Sequence, residues 1–290
     1  PLAVVQCVLI MILILHPFSA SQTDGQLRVD FLDVGQGDAA LITMPDGTTL
    51  LVDGGGRPFE RASRSIGEAV VSEYLWWRGL DRVDYVLATH AHADHIDGLN
   101  DVVRNFAVNS ALVGRTPSND PEFAKFLLNK INLQTIQAGD VIRFGEVEVR
   151  ILWPPPGEVS GNDDSVVLKL QFRNRSILLT GDIEKKAEAA LTIADLEADV
   201  VKVPHHGSKT SSTAPFVAAT KPRFAIISVG RDSMFGHPHA EVVERWKAIG
   251  AEVLTTGECG TISVTTDGAD LWIRGMQSHT SSLSPVPCSH

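Results

Sequence analysis

Cysteine is scarce in this chain. Its three residues, Cys7, Cys259 and Cys288, are scattered through 290 positions with no Cys-x-x-Cys pair, which argues against a multi-bridge disulfide scaffold and a thiolate-built metal site. Basic charge is in deficit: 25 Lys and Arg stand against 35 Asp and Glu, a formal net charge of −10. A general phosphate-binding face leans basic, so any contact with nucleic acid must be local or assisted by a cation. Long apolar runs are missing too. The stretch from Leu2 to Leu15 has 14 residues, broken only by Gln6 and Cys7, and falls short of the ~20 that span a bilayer core. Low apolar content, the mark of disorder, is also absent: 43% hydrophobic and 21% charged residues suit a globular core.

The Leu2–Leu15 stretch fits the apolar region of a signal peptide, with Ser19-Ala20-Ser21 as a small-residue cleavage candidate. It fits equally the end of a transmembrane helix whose beginning lies outside the sequence. Either reading makes the protein membrane-associated or secreted, with its folded part outside the cytoplasm. Met276 to His290 is rich in Ser and Pro and reads as a disordered tail.

Residues 27–275 carry dense element signals. Strands are expected at 27–33, 39–44, 48–53, 83–89, 107–113, 147–153, 165–172, 176–180, 199–203, 224–229, 252–256, 261–265 and 270–274. Helices are expected at 64–79, 97–106, 121–130, 184–194 and 240–249. Many strands with interspersed helices indicate a layered α/β protein. There is an internal echo as well. Asp38-Ala-Ala-Leu-Ile leads through a turn to Thr49-Leu-Leu-Val-Asp-Gly-Gly, and later Asp164-Ser-Val-Val-Leu leads to Ser176-Ile-Leu-Leu-Thr-Gly-Asp182. Two such halves packed face to face would bring both acidic turns to one seam.

With ten histidines in the chain, their clustering is informative. His90-Ala-His92-Ala-Asp94-His95 follows directly on the apolar strand ending Ala88-Thr89. Imidazole and carboxylate are ligands for Zn²⁺, or for Mn²⁺ where oxygen predominates. His90 and His92 alternate and suit one ion; Asp94 and His95, around the turn, suit a second. Four residues cannot fill two sites of ~4 ligands each, and the chain offers more. Asp182 ends a buried strand, where a lone carboxylate is costly. His205 and His206 end another, and His237 and His239 precede a helix.

Taken in order, these segments resemble the metallo-β-lactamase fold superfamily, and within it the C-terminal domain of the ComEC family of DNA-internalisation competence proteins. The matching segments are Phe31-Leu-Asp-Val-Gly-Gln-Gly-Asp38, Leu51-Val-Asp53-Gly-Gly55, Thr89 through His95, Asn162-Asp-Asp-Ser165, Leu179-Thr-Gly-Asp182, Val203-Pro-His-His-Gly-Ser208 and Phe235-Gly-His-Pro-His239. The resemblance implies a four-layer αββα sandwich with two divalent ions, Zn²⁺ or Mn²⁺, at one end of the seam. His90 and His92 would hold one ion, Asp94 and His95 the other, with Asp182 between them. His205 or His206 would complete the second site, the other being free to donate a proton. Many superfamily members carry a further histidine where this chain has Asn162-Asp163-Asp164-Ser165, so Asp163 becomes a candidate oxygen ligand. Asp33, Asp38 and Asp53 are expected behind the ligands, orienting them. Asp94, His206, His237 and His239 are the candidate catalytic groups, with Lys209 and Ser208 in contact with substrate.

Two divalent ions sharing a water make it nucleophilic near neutral pH and supply the positive potential this acidic chain lacks. The leading expectation is therefore hydrolysis of a phosphodiester such as single-stranded DNA, linked to DNA uptake. A secreted hydrolase of a small ester, lactone or phosphodiester is the second. A non-catalytic metal-binding module of a DNA-transport assembly is the third.

Overall fold

The computed structural model describes residues 2–15, 24–56, 64–114, 120–157 and 161–276. The cleavage candidate at 19–21 and the tail beyond Met276 lie outside them. The first helix, α1 (Leu2–Leu15), spans 14 residues, and no helix among the described residues is long and apolar enough to cross a membrane.

The strands follow in chain order as β1 (Leu27–Phe31), β2 (Ala40–Thr43), β3 (Thr49–Val52), β4 (Arg82–Ala88), β5 (Ala107–Val113), β6 (Leu133–Thr135), β7 (Val141–Phe144), β8 (Val147–Trp153), β9 (Val167–Phe172), β10 (Arg175–Leu179), β11 (Val200–Lys202), β12 (Phe224–Ile227), β13 (Glu252–Thr255), β14 (Thr261–Thr266) and β15 (Leu271–Met276). They form an eight-stranded sheet, β15-β14-β1-β2-β3-β4-β5-β6, and a seven-stranded sheet, β13-β12-β11-β10-β9-β8-β7. The echo in the sequence extends to topology. From β14 to β6, and again from β7 to β13, three antiparallel pairings precede three parallel ones. The hairpin β2–β3 thus corresponds to β9–β10, and the following strand β4 to β11. The turns after these strands carry Asp53, Asp182, the His90 motif and the His205-His206 pair.

Alternation places one face of each sheet in a shared core. Val29, Phe31, Ile42, Leu50 and Leu87 from the first sheet meet Val149, Leu168, Leu170, Ile177 and Val200 from the second. The outer faces are covered by helices. A π-type stretch (Gly67–Ser72) leading into α2 (Glu73–Trp77), with α3 (Ala93–Ile96), α4 (Leu99–Asn105) and α5 (Pro121–Leu127), packs on the first sheet. On the second lie α6 (Lys185–Leu191), α7 (Ala214–Thr220) and α8 (Ala240–Ala248), where Phe216 and Trp246 are fully buried. A short α9 (Thr256–Cys259) joins β13 to β14. The layers are those of an αββα sandwich.

The structure departs from the sequence-based expectations in readable ways. The helix expected from residue 97 begins at Leu99, and the histidine motif forms its own turn, α3. Strands β6 and β7 are short and largely exposed at sheet edges, so neither carries a clear apolar alternation. Helix α7 begins with Pro215 near its N-terminus and is held by the buried Phe216 and Val217, which override its modest propensity. The last strand runs from Leu271 to Met276, two residues past the expected end at 274.

The turn after β3 is laced to α3: Gly54 N–H donates to His95 O at 2.7 Å, and Gly98 N–H donates to Gly55 O at 2.9 Å. Contact this close needs glycine, since a Cβ on Gly98 would lie 1.9 Å from the Gly54 carbonyl oxygen. The backbone of Gly98 is itself helical, so the requirement is purely steric. Gly98→Ala should therefore lower stability by about 1–3 kcal/mol, read as a fall in denaturation midpoint, despite alanine's better helix propensity; unchanged stability would contradict this packing.

Candidate metal centre

The residue directly after strand β4 is a buried threonine that anchors the motif. Thr89 donates its N–H to Asp53 Oδ1 at 2.8 Å and its hydroxyl to Asp53 Oδ2 at 2.7 Å. Asp53 also faces His95 Nδ1 at 2.8 Å. A carboxylate only accepts, so His95 carries its proton on Nδ1 and turns Nε2 toward the interior. On the matching turn, His206 Nδ1 donates to the Ser228 carbonyl at 2.9 Å, turning its Nε2 the same way. His90 Nδ1 sits 3.1 Å from Thr89 Oγ1 and 3.2 Å from Ser165 Oγ. Ser165 Oγ also accepts the Asp182 N–H at 3.0 Å, tying two turns together.

The outcome is a convergence of polar atoms with nothing to satisfy them. Nε2 of His90, His95 and His206 and one oxygen each of Asp38 and Asp182 are buried with no hydrogen-bond partner among the described residues. Asp182 Oδ2 lies 3.1 Å from His95 Nε2 and 3.2 Å from His206 Nε2. Lone pairs so placed repel unless a cation or a proton stands between them. Atoms of His90, His95 and Asp182 lie within 4.8 Å of one another, as do those of Asp94, His95 and His206, and those of Asp38, Asp182 and His206. The donor set, imidazole nitrogen with carboxylate oxygen, fits a divalent ion.

Proton affinities reflect the same field. Burial alone would depress His95 and His206, but Asp182, with Asp53 and Asp38 respectively, outweighs it: His95 rises well above its ordinary value and His206 to about 10. Burial would raise Asp182, yet His206, His95 and Lys202 hold it far below the carboxylate range. Asp94 is also held low, by His206 and His95 against its burial. His90, buried and beside His95, is pushed well down. His95 and His206 are thus the imidazoles that hold protons in this field, and His90 is not.

Backbone strain is concentrated at these turns. Asp53, His205 and His206 adopt φ of 58°, 48° and 53°, the left-handed region that costs non-glycine residues of order 1–3 kcal/mol and that collects at functional sites.

The other sequence-based candidates are placed as follows. Asp94 lies 3.7 Å from His206 Nε2. His92 is exposed, its ring 4.6 Å from that of His90. His205 is half-buried; its Nε2 is 3.9 Å from Asp182 Oδ2, while Nδ1 faces Thr210 Oγ1 and Glu184 Oε1, each at 3.2 Å. His237 stacks on His206 at 6.4 Å and touches His239 at 5.2 Å. Burial, then His206 and His205, lower its pKa to about 4. Asp163 is turned away: its carboxylate accepts the Glu184 N–H at 2.8 Å and so caps α6. Asp33 accepts the Gly35 N–H at 3.3 Å, outside the cluster. Ser208 is buried against Thr210, and Lys209 is exposed.

Sequence reasoning missed Lys202. It is buried on β11, and its ammonium contacts Asp38 and lies 3.5 Å from Asp182 Oδ1. The signal was a lysine inside the apolar run Val200-Val201-Lys202-Val203, where a charge needs a partner.

A family model described as the metallo-beta-lactamase superfamily matches residues 32–231. The chain is 30% identical over 272 residues to ComE operon protein 3 of Bacillus subtilis, covering 88% of this chain and 34% of that protein. It is 30% identical over 239 residues to Recombination protein 2 of Haemophilus influenzae, covering 82% of this chain and 28% of that protein. The chain therefore spans about a third of the length of these relatives. Among solved structures, the metallo hydrolase Igni18 of Ignicoccus hospitalis shares the fold at TM-score 0.54 and 15% identity, over 82% of this chain and 98% of that one. The metallo-beta-lactamase fold protein YhfI of Bacillus subtilis does so at TM-score 0.54 and 13% identity, over 85% and 99%.

Two outcomes follow from this geometry. Asp53→Asn should weaken divalent-ion binding by about 10–100-fold in titration calorimetry, because the group orienting His95 loses its charge; unchanged affinity would contradict that role. In the metal-free protein, His237 binds its proton only near pH 4, whereas the unfolded chain binds it near the ordinary 6.5. The folded state thus holds fewer protons between about 4 and 6.5, and its stability falls on acidification through that window. Replacing His237 with Gln should flatten that slope in pH-dependent denaturation.

Proposed function

The chain belongs to the metallo-β-lactamase superfamily, and we propose that it is a binuclear metal-dependent phosphodiesterase acting on single-stranded DNA in DNA uptake. The observation that carries the metal chemistry is the convergence of three partnerless imidazole nitrogens on the Asp182 carboxylate. Its direction toward DNA is supported by the relatives, among them Recombination protein 2 and Competence protein ComA of Neisseria gonorrhoeae.

On this reading His90, His92 and Asp182 would hold one ion, and Asp94, His95, His206 and Asp182 the other. Zn²⁺ or Mn²⁺ so held would act as a Lewis acid, make water nucleophilic near neutral pH and offset phosphate charge. The protein's own groups do the rest. Asp53 and the Ser228 carbonyl fix two imidazoles before substrate arrives, so no reorganisation is needed at the moment of reaction. His237, neutral at pH 7 with its pKa near 4, is a poor proton source and would hold a substrate oxygen through a neutral N–H. His205, half-buried beside Asp182 and Glu184, is also held below its ordinary pKa by burial, so its place within reach of the leaving oxygen, and not a raised proton affinity, makes it the candidate to pass a proton there. Membrane-associated or extracytoplasmic placement belongs to the same proposal, and protease treatment of intact cells tests it.

Purified chain with Mn²⁺ or Zn²⁺ should degrade single-stranded DNA. Asp182→Asn and His206→Ala should each slow the reaction by at least the ~100-fold that loss of an orienting partner reaches. Intact metal binding with no cleavage under any divalent ion would overturn the nuclease reading, and turnover of small esters alone would replace it with a small-molecule hydrolase.

A further inference from the structure

Four carboxylates, Asp38, Asp53, Asp94 and Asp182, meet around the candidate centre, and one ammonium, that of Lys202, is buried among them. The Lys202 side chain is 4% exposed. Its Nζ contacts Asp38 Oδ2, lies 3.5 Å from Asp182 Oδ1 and donates to the Gly181 carbonyl at 2.9 Å. A buried ammonium persists only where anions compensate it. Asp38, Asp182 and His206 also form one of the groups with ligand atoms close enough to hold an ion, and two of those three residues are the ones Lys202 touches or faces.

We propose that the Lys202 ammonium is a resident cation: it takes the place of a metal ion between Asp38 and Asp182, neutralises Asp38, and confines divalent ions to the side of the pocket where His206 faces His90, His95 and Asp94. This rests on the reading of the pocket as a divalent-metal centre. Two consequences share one sign. A fixed positive charge on Asp182 repels any ion bound to the same carboxylate, and weakly screened repulsion in a buried pocket is strong. Asp38, held by the lysine, is withdrawn as a ligand. Removing the ammonium should thus strengthen metal binding, whereas loss of an ordinary supporting residue weakens it. It should also leave Asp38 buried without a counter-charge, so the metal-free fold loses stability that metal restores.

The test is Mn²⁺ titration calorimetry with metal analysis on the full chain, alongside thermal melting with and without Mn²⁺. Lys202→Met should bind Mn²⁺ at least ~10-fold more tightly, or take up one more ion, and Mn²⁺ should raise its melting temperature more than that of the wild type. Asp38→Asn, which leaves the lysine in excess, should bind at least ~10-fold more weakly. The double variant restores charge balance and should return close to wild-type affinity. Unchanged or weaker binding by Lys202→Met overturns the proposal, as does a double variant that binds Mn²⁺ no more tightly than Asp38→Asn. Should Lys202→Met fail to fold without metal, the double variant against Asp38→Asn decides. A wild-type chain that binds no divalent ion refutes instead the metal-centre reading beneath it.

Discussion

Three imidazoles are each held by Nδ1 so that Nε2 faces the same small volume, and the rest of the site depends on that constraint. Asp53 fixes His95, the Ser228 carbonyl fixes His206, and the Thr89 and Ser165 hydroxyls flank His90. These holders come from both sheets: Asp53 and Thr89 follow β3 and β4, Ser165 precedes β9, and Ser228 follows β12. The shared core therefore does more than stabilise the sandwich. It sets the ends of two sheets at the separation that brings Asp182, after β10, within 3.1 Å of His95, after β4, while pairing of β10 with β11 puts His206 at 3.2 Å from the same carboxylate.

Repeated topology supplies the geometric means. In each half a hairpin leads into a parallel strand, and the turn after each strand carries an acidic residue or histidines. Packed face to face, the halves bring Asp53 and Asp182 to opposite nitrogens of His95. Strain at Asp53, His205 and His206 shows that these turns are shaped for what their side chains reach rather than for backbone comfort. Glycine serves where two turns must touch, as Gly98 does against Gly54.

Much of this is legible in the amino-acid order, because the long strands carry strong periodicity and the histidine motif is dense. β5 and β8 run from Ala107 to Val113 and from Val147 to Trp153, as the pattern indicates. The short edge strands β6 and β7 and helix α7 are not legible, since tertiary burial or edge pairing, and not local pattern, determines them. Residue type likewise could not separate His205 from His206. Only the fold shows His206 fully buried with Nε2 at Asp182 and His205 turned toward Thr210 and Glu184. Asp163 looked like a ligand by its neighbourhood in the chain, yet three dimensions give its carboxylate to the amides at the start of α6. Lys202 was hidden for the opposite reason: in an apolar strand its partners lie far away in sequence, at Asp38 and Asp182.

The central claim is that these nitrogens face inward to hold cations. Anomalous diffraction at the Mn or Zn absorption edge, on crystals of the metal-loaded chain, tests it most directly. The account predicts two peaks, with Nε2 of His90, His95 and His206 and the Asp182 carboxylate at bonding distances of ~2.0–2.2 Å. A map with no peak there, and those same Nε2 atoms hydrogen-bonded to water or to neighbouring side chains, would contradict it.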